Sequence, residues 1–212
     1  MQVLLVAGGS PENWPQELKK SYDCYIGVDR GSWNLLQHDF PLDLAIGDFD
    51  SLSVKEKAVI KKEATHFIQA PAEKDDTDTQ LGLKKAIELY PKATITIIGA
   101  TGGRLDHLLA NLWLPLEPRF KPYAQNLIIW DNQNYVTYYL PGEHVITQIP
   151  EMSYLAYCCL TPVKELTIKN SKYELETTDV LQATSYASNE FTSNTATFSF
   201  TSGMVSVIQS KD

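Results

Sequence analysis

The chain has 212 residues, of which 43% are hydrophobic and 21% charged, and its formal net charge is −8 at pH 7. A chain of this length can bury a substantial core in one large domain or two small ones. The acidic balance argues against non-specific binding to nucleic acid or to an anionic membrane. No apolar run approaches the ~20 residues of a membrane span and no signal peptide precedes the first strand-like run, so we expect a cytoplasmic protein without a nucleic-acid or membrane partner.

From Met1 to about Leu116, short apolar runs alternate with helical periodicity. The predicted strands cover residues 3–7, 25–28, 44–46, 66–68 and 94–98. The predicted helices cover residues 54–64, the apolar set Leu83, Ala86, Ile87 and Tyr90, and the apolar set Leu105, Leu108, Leu109 and Leu112. This alternation predicts an α/β domain with a mainly parallel sheet and helices on both faces.

The pattern changes around three prolines, Pro115, Pro118 and Pro122, which end the helical periodicity. The later apolar runs are strand-like and separated by turn residues: 127–130, 135–140, 154–160, 166–168 and 196–208. Ser202-Gly203 interrupts the last run and predicts a tight hairpin. We therefore predict an α/β domain over residues 1–120 and an antiparallel β sandwich or barrel over residues 121–212.

The cysteines are consistent with a reducing compartment. Cys24 stands alone, whereas Cys158 and Cys159 are neighbours in a strand-like run, where consecutive side chains point to opposite faces. Without a CxxC spacing they indicate neither a disulfide framework nor a zinc site, and we expect free thiols.

Carboxylates follow most of the predicted strands of the first half, namely Asp29, Asp48, Asp50 and Asp75. The densest group is residues 73–79, which contain Asp75, Asp76 and Asp78 beside Lys74. Such a density of like charge favours a shared cation, although Thr77 and Gln80 also have the spacing of a capping box. Because the carboxyl ends of parallel strands meet at one edge of a sheet, these acids are expected to lie together there.

Two other segments belong to the same predicted edge. Gly47-Asp48-Phe49-Asp50-Ser51 directs two carboxylates to one side if it is extended, and otherwise Asp50 or Ser51 caps the next helix. The glycine-rich turn Gly99–Gly103 with Arg104 suits a phosphate, although it also fits a plain tight turn. Asp106 and His107 follow in the first helical turn. Carboxylates, cations and backbone amides together favour metal-assisted phosphoryl transfer.

Five segments resemble the thiamine pyrophosphokinase family. They are Gly27-Val28-Asp29-Arg30-Gly31, Gly47-Asp48-Phe49-Asp50-Ser51, Lys74-Asp75-Asp76-Thr77-Asp78, Gly102-Gly103-Arg104-Leu105-Asp106-His107 and Ser188-Asn189-Glu190-Phe191. The resemblance implies an α/β domain followed by a β sandwich, and transfer of pyrophosphate from ATP to thiamine with Mg²⁺, giving thiamine diphosphate and AMP. It also implies a homodimer whose active sites lie between the α/β domain of one subunit and the sandwich of the other.

The resemblance also implies roles for single residues. The implied magnesium ligands are Asp75, Asp78 and Asp106, and Asp48 and Asp50 complete the catalytic acids. The implied nucleotide-binding residues are Asp29, Arg30, Lys74, Thr101, Gly102, Gly103, Arg104 and His107. Ser188 and Asn189 are expected at the thiamine pyrimidine. The chain departs from the family pattern at Thr192-Ser193, where a glycine is expected, and it has no aromatic residue after Phe200 to stack on thiamine.

Two alternatives use the same residues. A Mg²⁺-dependent nucleotide pyrophosphohydrolase would take water as the acceptor and would release AMP without thiamine. A non-catalytic module would bind thiamine or a nucleotide without turnover, and it would not need the whole set of acids.

Overall fold

The computed structural model describes residues 1–16, 18, 21–71 and 73–212. The chain forms two compact units, Met1–Asn132 and Gln133–Asp212. Unit 1 is a mixed α/β fold and unit 2 is rich in β-strands. Among the described residues, no helix is long and apolar enough to cross a membrane.

Unit 1 is built on six parallel strands in the order β6-β5-β1-β2-β3-β4. Their bounds are β1 Gln2–Val6, β2 Cys24–Val28, β3 Leu44–Gly47, β4 His66–Gln69, β5 Thr94–Ile98 and β6 Leu127–Trp130. The first five lie where the sequence predicts strands. Strand β6 was expected in the second half, but it pairs in parallel with β5, with Leu127 opposite Ile95. An apolar run of four residues does not reveal its partner, so periodicity could not place β6.

In the described part of unit 1, four α-helices accompany these strands: α1 Arg30–Gln37, α2 Val54–Glu63, α3 Asp78–Leu89 and α4 Leu105–Leu112. Helices α2 and α3 each begin with a capping box, formed by Ser53 with Glu56 and by Thr77 with Gln80. The predicted cap at Thr77 is therefore confirmed, whereas α2 is capped by Ser53 and not by Asp50 or Ser51. Helix α1 was not predicted, because it is short and contains a glycine at its second position.

Helices α1 and α3 pack against opposite faces of the parallel strands. Leu35 of α1 shares a buried cluster with Leu4 and Val6 of β1. On α3, a Cβ atom added to Gly82 would lie 2.5 Å from Val28 Cγ2 and 3.3 Å from Leu5 Cδ1. Alternate residues of β1 therefore face different helices, which is why this strand is apolar on both faces.

Helix α4 differs from its prediction. Its bounds are correct, but the described part of the chain covers the leucine stripe only in part: Leu108 and Leu112 are half-buried, whereas Leu105 is 68% exposed and Leu109 and the following Trp113 are also exposed. The buried residue of the helix is polar Asn111. Periodicity locates an apolar stripe on a helix, but it does not say what packs on the stripe.

Unit 2 contains two antiparallel sets of strands, β12-β9-β14-β7 and β11-β10-β13-β8. Their bounds are β7 Asn134–Tyr139, β8 Gly142–Thr147, β9 Tyr154–Cys159, β10 Val163–Lys169, β11 Leu175–Val180, β12 Thr184–Glu190, β13 Thr195–Phe200 and β14 Val205–Ser210. Both sets contribute to one core, with Leu155, Tyr157 and Val207 from the first and Ile168, Phe198 and Phe200 from the second. This core makes unit 2 a sandwich.

The predicted hairpin at Ser202-Gly203 is wrong. Strand β13 pairs with β8 and β10, whereas β14 pairs with β7 and β9, so the chain passes there from one sheet to the other. Gly203 has φ +105°, and a Cβ atom would lie 2.4 Å from the Pro162 carbonyl oxygen. The glycine is needed for this crossing and not for a two-residue turn. All three cysteines are free.

Candidate active site

The site of unit 1 lies where the strand order changes direction. The chain proceeds from β1 to β2, β3 and β4 on one side, and then places β5 and β6 on the other side of β1. The loops after β1 and β5 therefore diverge and leave a crevice beyond the carboxyl ends of the strands. A pocket of about 390 Å³ occupies this position.

Several predicted site residues line this pocket: Asp29, Arg30, Thr101, Gly103, Arg104 and His107. It is also lined by residues that the sequence analysis did not select: Gly8, Gly9, Ser51, Thr79 and Asn111. The strand end Ala7-Gly8-Gly9 was a usable signal, because it ends an apolar strand as the Gly99–Gly103 turn does. Asn111 gave no signal, since an asparagine inside a leucine-rich helix looks like a surface residue.

Two glycine loops contact each other at the floor of the crevice. Gly9 N–H donates to the Gly99 carbonyl oxygen at 2.9 Å, and a Cβ atom on Gly9 would lie 2.4 Å from that oxygen. Gly99 has φ +66°, and its Cβ atom would lie 2.7 Å from the Ala7 carbonyl oxygen. Thr101 Oγ donates to Asp131 Oδ2 at 2.7 Å. The backbone of the two glycine loops is therefore fixed in position and not covered by side chains at these glycines. Backbone amides need such an uncovered, fixed backbone to come close to a phosphate.

An acidic cluster adjoins the pocket. Ligand oxygens of Asp29, Asp48 and Asp50 all lie within 4.8 Å of one another, the one such group of three among the described residues. Phe49, at φ +60°, is buried and stacks on Phe67 at 4.7 Å. Phe49 at φ +60° and the turn at Asp50 show that this segment is not extended, so the expected alternation of side chains does not apply; Asp48 and Asp50 nevertheless lie together with Asp29.

Asp29 has an unusual backbone conformation and a partly buried carboxylate. Its backbone has φ 48° and ψ −120°, and its side chain makes no capping hydrogen bond to α1. Oδ2 accepts a hydrogen bond from Ser51 Oγ at 2.8 Å, whereas buried Oδ1 has no hydrogen-bond partner among the described residues. Burial raises the pKa of Asp29, and the neighbouring Asp78 and Asp48 charges add to this effect. A carboxylate kept from water beside other acids is suited to a cation.

Lys74 connects the acidic loop after β4 to this cluster. Its Nζ donates to Asp48 Oδ2 at 2.9 Å and to the Pro71 carbonyl oxygen at 3.0 Å, and it lies 3.1 Å from Asp78 Oδ1. Burial favours the neutral form of Asp48, but the hydrogen bond and charge of Lys74 outweigh it and lower the pKa of Asp48. Lys74 therefore holds two loops together through their acids.

The predicted magnesium ligands Asp75, Asp78 and Asp106 do not form a group of this kind in the described chain. Asp75 lies exposed before α3. Asp106 is exposed and pairs with Arg104, with Nη2 and Oδ2 at 2.5 Å. Only Asp78 approaches the cluster, through Lys74. Asp29 instead lies with Asp48 and Asp50, because the ends of β2 and β3 are adjacent in the sheet, whereas Asp106 pairs with Arg104. The assignment of Asp75, Asp78 and Asp106 to magnesium stays a prediction.

The remaining acid of the loop has a structural partner. Asp76 accepts hydrogen bonds from both terminal nitrogens of Arg119, at 2.7 and 2.9 Å. These hydrogen bonds lower the pKa of Asp76. The paired geometry fixes the loop before α3 and engages both carboxylate oxygens of Asp76 with Arg119.

The predicted thiamine residues lie in unit 2. Ser188 is exposed at φ +60°, in the irregular part of the β12–β9 pairing. Asn189 is 3% exposed and engaged by the backbone: Oδ1 accepts from Tyr173 N–H and Glu190 N–H, and Nδ2 donates to the Tyr173 carbonyl oxygen. Asn189 thus fixes the loop between β10 and β11.

Comparison with known proteins agrees with both units. Residues 15–127 match the family model "Thiamin pyrophosphokinase, catalytic domain" and residues 143–205 match "Thiamin pyrophosphokinase, vitamin B1 binding domain". The chain is 35% identical to thiamine pyrophosphokinase of Bacillus subtilis over the full length of both proteins. A solved thiamin pyrophosphokinase family protein of Enterococcus faecalis is 55% identical with a TM-score of 0.98 over all of both chains. A solved Lactobacillus plantarum protein is 39% identical, with a TM-score of 0.89 over 99% of this chain and 98% of the other.

Proposed function

The chain belongs to the thiamin pyrophosphokinase family, and on that premise we propose that it transfers pyrophosphate from ATP to the hydroxyl group of thiamine, giving thiamine diphosphate and AMP. The observation that carries the proposal is the glycine-lined crevice beside the Asp29, Asp48 and Asp50 cluster. The relatives favour transfer to thiamine over hydrolysis.

We assign the nucleotide to unit 1, whose parallel sheet carries helices on both faces. The backbone of the two glycine loops would receive the phosphates, with Thr101, Gly102 and Gly103 at the tight turn. Arg30, Arg104 and His107 add positive charge or hydrogen-bond donors at the rim. Arg30 is positioned by its hydrogen bond to the Ser51 carbonyl oxygen and lies 3.5 Å from Glu56.

The residues of the cluster fit a magnesium ion. Mg²⁺ prefers carboxylate oxygens, and Asp29 Oδ1 is a buried oxygen without a hydrogen-bond partner in the described structure. Asp29, Asp48 and Asp50 would hold the ion with Asp78 beside them. Asp75 and Asp106 remain proposed ligands, and Asp106 would have to leave Arg104 to serve as one. When bound, Mg²⁺ neutralises charge on the transferred phosphates.

The chain's own residues then account for positioning. Asp48 is tied to Lys74, so we assign orientation of the thiamine hydroxyl to the exposed Asp50. Lys74 neutralises Asp48 and Asp78, and Ser51 holds the Asp29 side chain by its hydrogen bond. In-line transfer depends mainly on such positioning and charge balance, since no covalent intermediate with the protein is needed.

We assign thiamine to unit 2, where Ser188 and Asn189 lie within the vitamin B1 binding match. Asn189 would act by shaping the loop that it holds, and Phe191 is a candidate for stacking on the ring. We further propose a homodimer with the active site at the subunit interface. The exposed stripe Leu105, Leu109 and Trp113 supports a partner. Use of ATP and three free thiols fit the cytoplasm.

The product formed from thiamine, ATP and Mg²⁺ tests the proposal. Mass analysis should show thiamine diphosphate and an equal amount of AMP. Thiamine monophosphate, or no thiamine product, would contradict it, and AMP released without thiamine would indicate the hydrolase. Asp78→Asn should abolish most of the turnover, whereas Asp76→Asn alters an acid of the same loop that is paired with Arg119 and should keep most of it.

A further inference from the structure

The most buried residue of helix α4 is a polar one, Asn111. Asn111 is 7% exposed and lines the nucleotide pocket, whereas Leu105 and Leu109 of the same helix are exposed. Arg104, His107 and Asn111 lie three and four residues apart and all line the pocket, so one face of α4 is directed toward it. Asn111 is the deepest of the three, one turn beyond His107.

The orientation of the Asn111 side chain is fixed by its neighbour. Nδ2 donates to the Ala100 carbonyl oxygen at 2.9 Å in a buried hydrogen bond. A carbonyl oxygen can only accept, so the amide nitrogen has to face Ala100 and Oδ1 has to face away from it. Oδ1 has no hydrogen-bond partner among the described residues. Asn111 lines the pocket, and its amide nitrogen is already bound to the Ala100 carbonyl oxygen. The group that it can offer to a ligand is therefore Oδ1, a hydrogen-bond acceptor.

We propose that Asn111 determines nucleotide specificity by accepting, through Oδ1, a hydrogen bond from an N–H or O–H group on the nucleoside part of ATP. The proposal rests on the function proposed above. Phosphate oxygens cannot be the partner, because they are acceptors at neutral pH, as Oδ1 is. The remaining donors of ATP are the 6-amino group of adenine and the two ribose hydroxyls.

Asn111 has a second role that any test must separate from recognition. Its hydrogen bond to Ala100 holds the loop after β5, as Asn34 of α1 holds the loop after β1 by donating to the Gly9 carbonyl oxygen at 3.4 Å. Loosening either loop weakens the binding of every nucleotide alike, since all of them share the phosphates. The ratio of affinities for two nucleotides that differ by one donor cancels this common effect.

The experiment measures Kd by calorimetry with Mg²⁺ and without thiamine for ATP, purine riboside triphosphate, 2′-deoxy-ATP and 3′-deoxy-ATP. Purine riboside triphosphate lacks only the 6-amino group. In the wild type we expect one of the three analogues to bind about tenfold more weakly than ATP, because a buried acceptor loses its partner. The analogue affected identifies the base or the ribose as the source of the donor.

Two variants complete the test. In Asn111→Leu, the ratio of the Kd of the affected analogue to the Kd of ATP should fall close to one. In Asn34→Leu, the binding of every nucleotide should be weaker, but this Kd ratio should stay as in the wild type. Equal binding of all four nucleotides by the wild type would overturn the proposal, even if Asn111→Leu does not fold. A ratio unchanged in Asn111→Leu would overturn it as well. Because no thiamine is present, failure of pyrophosphate transfer would not affect this result.

Discussion

Lys74 Nζ lies 2.9 Å from Asp48 Oδ2 and so joins the acidic loop after β4 to the end of β3. Both side chains are largely buried, and the same ammonium group lies 3.1 Å from Asp78 Oδ1. One cation therefore serves two carboxylates next to the Asp29, Asp48 and Asp50 cluster. Without it, adjacent acids would repel one another and the two loops would lose their connection.

The first prediction concerns this cation. Lys74→Met should lower turnover by about 10²–10³-fold, the cost of losing one positioned hydrogen-bond donor at a reaction centre, because Asp48 and Asp78 lose the cation that they share. Steady-state formation of AMP from ATP and thiamine measures the effect. Lys84→Met, which changes an exposed lysine of α3, is the control and should leave turnover within about twofold. Comparable rates for the two variants would remove Lys74 from the site.

The second prediction follows from the raised pKa of Asp29. A folded-state pKa above the ordinary value means that protonation favours the folded protein. Below the ordinary carboxyl pKa of about 4, Asp29 is protonated in both the folded and the unfolded protein, and no charge is buried. Once the pH has risen through the folded-state pKa, the buried charge lowers the free energy of unfolding by its full amount. Asp29→Asn should therefore raise the Tm at neutral pH while lowering turnover, and the gain in Tm should shrink in acid.

Calorimetry across this pH range tests the Asp29 prediction. Asp39→Asn changes an exposed acid just beyond α1 and is the comparison variant. A lower Tm for Asp29→Asn than for the wild type at neutral pH would show that the Asp29 carboxylate stabilises the free protein.

The third prediction concerns magnesium. Mg²⁺ that binds only the folded protein raises the free energy of unfolding by about 2.7 kcal/mol at one hundred times its Kd. The double change Asp48→Asn and Asp50→Asn should abolish this stabilisation, and a chelator should reverse it in the wild type. Asp76→Asn should retain the full Mg²⁺-dependent rise in Tm, since Asp76 is paired with Arg119. An equal rise in all three proteins would place the ion elsewhere.

The fourth prediction separates the two thiamine candidates of unit 2. Asn189→Ala should lower the free energy of unfolding by about 1–3 kcal/mol for each backbone group that loses its partner without gaining water. The groups are Tyr173 N–H, Tyr173 C=O and Glu190 N–H. Ser188→Gly removes an exposed hydroxyl and places a residue that adopts φ +60° without strain, so it should leave the free energy of unfolding unchanged or raise it by about 1 kcal/mol.

Urea unfolding monitored by fluorescence provides both stability values, and the KM for thiamine separates structure from recognition. An Asn189→Ala variant as stable as the wild type but with a raised KM for thiamine would contradict the structural role.

The fifth prediction addresses the proposed homodimer. Changing Leu105→Glu together with Trp113→Glu places two charges on the exposed stripe of α4 and should convert a dimer to a monomer in sedimentation analysis. A glutamate at the first position of a helix is favourable, so α4 should persist. Val54→Glu has the same helical position in α2 and is 87% exposed, and it should remain dimeric. A dimer in both variants would place the interface on another surface.

The sequence alone predicted the main elements of the molecule because their signals are local. Continuous apolar runs identified β1, β2, β3 and β5, since strands covered on both faces have no polar side, and the short run Phe67-Ile68 identified the partly exposed edge strand β4. Thr77 and Gln80 fixed the start of α3 through a capping box. The strands β8, β11 and β12 were missed, because much of their surface is exposed and polar, and periodicity is weak where only part of one face is buried.

The sequence predicted that Asp29, Asp48 and Asp50 lie at one edge of the sheet, and the structure brings these three together. Asp48 and Asp50 were selected because they follow a strand, and Asp29 for the same reason, yet which strand ends are neighbours depends on the order of strands. Adjacent β2 and β3 bring Asp29 to Asp48, whereas Asp106 is exposed and paired with Arg104. Likewise, only the tertiary structure shows that Asn111 lines the pocket and that the Asn189 side chain forms hydrogen bonds with backbone groups. Local sequence determines secondary structure and charge, whereas proximity between distant residues arises from packing.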